Sequence, residues 1–279
     1  MRSFIQLLAA ASMLMTATVQ AEEPNTPTTQ VVIGDAVIGF EKPPRLLNLY
    51  QAAELPPSAY WPSSRLLSAA QTEKLQQRRD YVLGQLTDLA QSAFIEGDEA
   101  LEQAAKAYAE QLPKWPLVGA EWVGRTKIDD RLDQQSGVSF VRPSLYSSFN
   151  DAAANLQANP QLPADTLQLL PPKDLGEWQV TIVTPEGIKK IAFEQHDTVR
   201  QVLKKAGTFE HHYDLAEVTL ISLTGLSRSS KVAYYNDAED LPPVHGLIFV
   251  GLDLSAMDDS WQRMNAQLAA LLSYWNPQS

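Results

Sequence analysis

One run of elements occurs twice in this sequence, and few folds accommodate it. In the first instance Val31, Val32 and Ile33 lead into Gly34-Asp35 and then Ala36, Val37 and Ile38, two short apolar runs about a two-residue turn. Pro43 and Pro44 then introduce Arg45 to Leu55, where Leu46, Leu49, Tyr50 and Ala53 recur at helical spacing. In the second instance Trp178 to Val183 and Ile188 to Phe193 alternate as strands about Pro185-Glu186-Gly187. Asp197 is placed to cap a helix on which Val199, Val202, Leu203 and Ala206 share a face, and Gly207 supplies a left-handed stop. Val218 to Leu223, Lys231 to Tyr235 and Leu247 to Val250 follow as short runs rich in β-branched or aromatic residues.

Hairpin, helix and then further strands is the element order of the β-grasp fold, in which the helix covers one face of a small mixed sheet. The expected class is therefore α+β with tandem β-grasp (ubiquitin-like) domains. The first domain spans 30–172 and is interrupted; the second spans 173–252. From Ser68 to Leu112 the text is helical except at Glu96-Gly97-Asp98. Leu75, Val82, Leu86, Leu89 and Ala93 form one stripe, and Leu101, Ala104, Ala105, Tyr108 and Leu112 form another. Ser68 with Gln71 has capping-box spacing, Asp98 caps the second helix and Pro113 ends it, which predicts an antiparallel helical hairpin inserted at 66–112. Its wide apolar faces require a further partner, the second domain. Trp122 to Ile128 and Val138 to Val141 read as strands, Tyr146 to Leu156 as a short helix, and Asp165 to Leu170 as a last strand before Pro171-Pro172.

The amino terminus addresses the compartment. Arg2 precedes an apolar stretch from Phe4 to Val19 that closes on Val19-Gln20-Ala21 before Glu22, the pattern of a signal peptide over residues 1–21 cleaved after Ala21, with a periplasmic destination. The chain has no cysteine, so disulfides and a lipid anchor through cysteine are both excluded, and stability must come from apolar cores. A formal charge of −11 with no Lys/Arg run longer than a pair argues against nucleic acid and anionic membrane surfaces as partners.

Short motifs lie between these elements: Ala59-Tyr60-Trp61-Pro62 before the hairpin, Val123-Gly124-Arg125 after it, and Asn159-Pro160-Gln161-Leu162 with Asp165-Thr166-Leu167 near the end of the first domain. With these motifs in this order, and an aromatic-rich helix at the end, the chain resembles the GfcC-type capsule-biosynthesis proteins of Gram-negative bacteria. The linker Lys173-Asp174-Leu175-Gly176 departs from that pattern in lacking an Arg-Pro step. The resemblance implies a non-catalytic periplasmic accessory protein of capsule or exopolysaccharide assembly or export. Its partners would be the polysaccharide, outer-membrane export proteins, or both. It also implies a pocket shaped by Arg125, with Trp122 beside it.

On the residues alone, Arg125 reads first as a half-exposed strand arginine packed on Trp122, and after that as a fork for a sugar carboxylate or a lock between domains. Trp61, Trp115 and Trp122 read either as stacking surfaces for sugar rings or as core. Gly225-Leu226-Ser227-Arg228-Ser229 approaches G-x-S-x-G but fails at its last position and reads as a polar loop. His211-His212-Tyr213-Asp214 lacks a third converging ligand, so no metal and no cofactor is expected. Carboxylate pairs such as Asp129 with Asp133, or Asp258 with Asp259, keep a polysaccharide-modifying enzyme as the alternative, although spacing in sequence does not place two carboxyls across a sugar. An outer-membrane export channel component is a third reading.

That third reading rests on residues 253–279. Met257, Trp261, Met264, Leu268, Leu271, Leu272 and Trp275 fall at steps of three and four, predicting an amphipathic helix from Ser255 to Trp275. Asp258, Asp259 and Arg263 leave only Met264 to Trp275 uncharged, about 18 Å at 1.5 Å per residue against a hydrocarbon core of about 30 Å. Its polar face carries Gln262, Asn265, Gln267 and Ser273 where an interfacial anchor would carry Lys and Arg. The expected state is a helix folded back on the second domain, without stable membrane insertion, presenting Trp261, Met264, Leu268, Leu271 and Trp275 as the interaction stripe.

Overall fold

A left-handed glycine starts the first sheet. Gly34 sits at φ +59° and lets β1 (Thr29–Ile33) turn back on β2 (Ala36–Phe40) with Thr29 opposite Phe40. The computed structural model describes residues 29–55, 63–119, 149–211, 215–223 and 225–276. Helix α1 (Leu46–Ala52) buries Leu46, Leu49 and Tyr50, and its first turn is held from far along the chain. Asn159 Oδ1 accepts the Leu47 N–H at 2.9 Å, the Pro160 carbonyl accepts the Leu46 N–H at 3.0 Å, and the Leu162 N–H donates to the Pro44 carbonyl at 2.8 Å. The Asn159-Pro160-Gln161-Leu162 motif is thus a clasp that caps α1, satisfying donors that a helix start leaves open.

Strand β3 (Arg65–Ser68) runs directly into the helical hairpin of α2 (Ala69–Glu96) and α3 (Glu99–Gln111). The insertion therefore begins after Ser68, since Leu66 and Leu67 are sheet residues. The expected punctuation is in place: Ser68 Oγ accepts from the Gln71 N–H, Gly97 ends α2 at φ +79°, and Asp98 accepts from the Leu101 N–H. After α4 (Phe149–Ala154), β4 (Thr166–Leu170) enters the centre of a four-stranded sheet ordered β2-β1-β4-β3, parallel to β1 and antiparallel to β3. Val31, Leu66, Leu167 and Leu169 close on α1 as one core.

The second sheet repeats that plan with one strand more. β5 (Gln179–Thr184) and β6 (Gly187–Ala192) form a hairpin, α5 (Val199–Lys205) and the short α6 (Thr208–His211) follow, then β7 (Glu217–Ile221), β8 (Ser227–Lys231) and a central β9 (Leu247–Phe249). The order is β6-β5-β9-β7-β8, with β9 parallel to β5 and antiparallel to β7. The fold is α+β, with two mixed sheets.

Three local readings are corrected. The cap of α5 is Thr198, whose hydroxyl accepts from the Gln201 N–H while the Gln201 side chain accepts from the Thr198 N–H; Asp197 stands one residue outside and does other work. The fourth strand is Ser227–Lys231, earlier than Lys231 to Tyr235, and it takes in most of the stretch read as a polar loop. Its inward positions are Ser227 and Ser230, so no apolar alternation marks it; Ser230 Oγ donates to Asp240, and Arg228 pairs with Asp240 at 2.9 Å.

The C-terminal helix is also shorter than predicted, α7 spanning Met264–Leu272. Residues 255–263 form tight turns instead, with i to i+3 bonds at Met257, Trp261 and Met264. Gln262 Nε2 donates to the Leu254 and Met257 carbonyls, and the Asn265 side chain bonds both backbone groups of Leu252. A Cβ on Gly251 would lie 2.8 Å from Asn265, so that approach requires glycine. The turns keep Met257, Met264, Leu268, Leu271, Leu272 and Trp275 buried and Trp261 partly so.

The stripe docks where expected, with the hairpin as co-tenant. Along β5, β7 and β9, alternate residues face opposite ways: Val180, Ile182, Val218, Leu220, Ile248 and Val250 meet α5, while Val183, Ile221, Leu247 and Phe249 meet α2, α3 and α7. The Tyr108 hydroxyl donates to the Val250 carbonyl, and Gln111 Nε2 donates to the Thr184 and Pro185 carbonyls. Burial raises the Tyr108 pKa well above the ordinary phenol value, with Glu186 adding to it. Beyond the hairpin, Leu117 bridges to Trp275, the Val118 N–H donates to the Tyr274 carbonyl, and the Asn276 N–H donates to the Pro116 carbonyl. No helix among the described residues is long and apolar enough to cross a membrane.

Candidate functional site

The second unit's sheet is occupied on both faces, which leaves its rims for recognition. At one rim β5 begins and β6 ends, and the Phe193 N–H donates to the Trp178 carbonyl at 3.0 Å, extending the ladder past both strands. This puts two aromatic rings side by side, centroids 6.0 Å apart and tilted by 49°. Phe193 is buried beneath, while Trp178 is 43% exposed. Around them opens a shallow cleft of about 600 Å³ lined by Glu177, Trp178, Phe193, Glu194, Gln195 and Lys205.

Asp197 shapes that cleft. Its carboxylate accepts the Glu194 N–H at 2.6 Å and the Lys205 ammonium at 2.7 Å, while its own N–H donates to the Glu194 carbonyl at 3.0 Å. These bonds fix the turn after β6 and draw Lys205, at the end of α5, over to the cleft. The backbone bond from Glu194, and after it Lys205, hold the Asp197 pKa below the ordinary carboxylate value. An aromatic face beside carboxylates, an amide and a directed ammonium can stack on the C–H face of a pyranose while hydrogen-bonding its hydroxyls.

A second arrangement joins the two sheets. Arg65, on edge strand β3, is 2% exposed; Nη1 donates to the Ser64 carbonyl and Nη2 to the Leu223 carbonyl just beyond β7, both at 2.7 Å. A buried guanidinium reaching across 158 residues of chain is a latch between units. Leu223 also lines a narrow gap with His245, Leu272 and Trp275, closed too tightly to admit a sugar. At this seam the guanidinium that joins the two sheets is that of Arg65.

Arg125, Trp122, Trp61, His212, Asp214, Asp129 and Asp133 lie outside the described residues, as do residues 1–21. Trp115 is core, buried against Tyr108 with centroids 6.3 Å apart, and does not present a stacking face. Asp258 and Asp259 are exposed on the turns before α7, away from the cleft lining. Trp178 and Arg65 were not marked by sequence. Trp178 reads as the first residue of a strand, in phase with Val180 and Ile182, so the alternation assigns it to the core and carries no signal of its exposure. Arg65 lies in Ser63-Ser64-Arg65, a stretch with no helical or strand period.

Residues 27–133 match a family model described as capsule biosynthesis GfcC, N-terminal. No curated protein matches the chain.

Proposed function

We propose that this chain, whose residues 27–133 match the capsule biosynthesis GfcC N-terminal model, is a non-catalytic periplasmic accessory protein that binds polysaccharide during capsule assembly or export. The family name carries the role in capsule biosynthesis. The periplasmic address is supported by the signal-peptide pattern of residues 1–21. Tandem β-grasp units are supported by the central parallel strand that each sheet receives last, β4 beside β1 and β9 beside β5.

The observation that carries the binding role is the Trp178 cleft: an exposed indole over a buried ring, rimmed by hydrogen-bonding groups and shaped by Asp197. Its shallowness suits an extended polymer, which has to enter and leave from the side. Capsular oligosaccharides titrated into the protein should shift the Trp178 indole resonance and quench its fluorescence. Trp178→Ala should weaken binding about tenfold, in the range of one lost aromatic contact. Oligomers recovered afterwards should have unchanged length. Shortening would make Glu177 and Glu194, which line the same cleft, an acid and base pair and overturn the non-catalytic role.

A further inference from the structure

A second aromatic feature stands apart from the cleft. After β8 the chain turns through residues 233–236, and Tyr234 and Tyr235 are 89% and 83% exposed. Neither ring fills a core or shields a seam within the described residues. The turn beneath them is fixed: the Asn236 N–H donates to the Ala233 carbonyl, the Ala238 N–H to the Lys231 carbonyl, and the Glu239 N–H to Asp237 Oδ1, all at 3.0 Å. The Arg200 guanidinium lies 4.9 Å from the Phe209 centroid and 5.7 Å from that of Tyr234, and Nη1 donates to the Val232 carbonyl. Arg200 thereby anchors the Tyr234 ring from one side.

We infer that Tyr234 and Tyr235 form an exposed aromatic platform that stacks on pyranose rings of the same polysaccharide, a second contact apart from the Trp178 cleft; this rests on the binding role proposed above. The surroundings choose the ligand class. A protein hot spot buries its aromatics in a desolvated pocket ringed by apolar contacts. Here the rings are solvated, Arg200 lies against Tyr234, and the turn that follows carries Asn236, Asp237 and Glu239, hydrogen-bonding groups of both signs. A sugar ring matches this in kind, with one C–H face for the phenol ring and a rim of hydroxyls for amide, carboxylate and guanidinium. Because the turn is already ordered, binding has little loop entropy to overcome. Two separate contacts on one rigid unit also make binding depend on chain length, because a polymer that reaches both gains from effective concentration.

The test uses the full mature chain and capsular polysaccharide of the producing strain, cut to short and long oligomers. Wild type should bind long oligomers at least tenfold more tightly than short ones. Tyr234→Ala/Tyr235→Ala should erase that difference, leaving short-oligomer binding at Trp178 intact; Tyr235→Phe should keep it, since the ring is what stacks. Both tyrosines are exposed, so the double variant should melt like wild type. Long-oligomer affinity equal to wild type in the double variant overturns the platform while leaving the cleft's role standing. Tyrosine ring resonances that move with a protein partner but not with oligomers overturn it as well. Absence of binding to any oligomer by wild type defeats the binding role itself, and the platform with it.

Discussion

The two sheets share an order of elements yet differ in how they are closed. The first carries α1 and the α4 region on one core of nine buried residues, and Thr166 and Gln168 on its central strand are exposed. The second is covered twice, by α5 on one face and by the hairpin with α7 on the other, and every residue of β5 after Gln179 is buried. Half of that second cover is sequence inserted in the first unit. The first unit thus donates structure, the second consumes it, and a sheet with both faces filled has only strand ends and turns left for ligands. Trp178 and Tyr234-Tyr235 stand at those places.

The sharpest way to break this comparison is at Phe249, which meets the Tyr108 ring at 5.6 Å where hairpin and sheet join. Phe249→Ala should cost about 3–5 kcal/mol in urea unfolding. Hydrogen exchange should show β5, β7 and β9 opening before β1 and β4; simultaneous loss in both sheets would mean the units are one cooperative block. Next in size is Arg65→Met, which removes a charged donor from the Leu223 carbonyl and should cost about 1–3 kcal/mol. Small-angle scattering of that variant should broaden as the first sheet moves relative to the second, whereas an unchanged profile would move the seam's strength to the hairpin.

Thr198→Ala should cost about 1 kcal/mol through the lost cap, and in the second unit alone. The smallest effect is at Asp197. Its folded pKa lies below the unfolded value, so its contribution is full above the ordinary carboxylate value of 3.8 and is lost as pH falls below that toward the folded pKa. Below pH 3.8 the Glu194 amide resonance should move as the Asp197 carboxylate takes up its proton, before the sheet melts, together with a falling affinity at Trp178. An affinity that stays flat over that range would separate Asp197 from the cleft.

Much of this architecture is written in local chemistry. Gly34, Gly97 and Gly207 mark three chain reversals by positive φ, and Ser68 and Asp98 mark two helix starts by their caps. The stripes of α2 and α3 face the core their spacing assigns them. Sequence fails where side chains face inward without being apolar, as with Ser227 and Ser230 in β8, or where a periodic stripe is carried by turns, as with Met257 and Trp261. The candidate site was the least visible part. Trp178 depends on Phe193, fifteen positions later, and Arg65 on Leu223, pairings that only the closed sheets create.

The clasp between Leu117 and Trp275 has a consequence in time. The hairpin is complete once Gln111 has been made, yet the surfaces that cover it come from Val183 to Trp275, and its Tyr108 waits for Val250, 142 residues on. Contacts of such sequence separation form late. A chain emerging vectorially therefore carries an open apolar hairpin through most of its own synthesis, a surface that chaperones recognise and that associates with copies of itself. Any product ending before Met264 remains in that unfinished state for good, so loss of the last few turns of chain should be read out as aggregation of the first half.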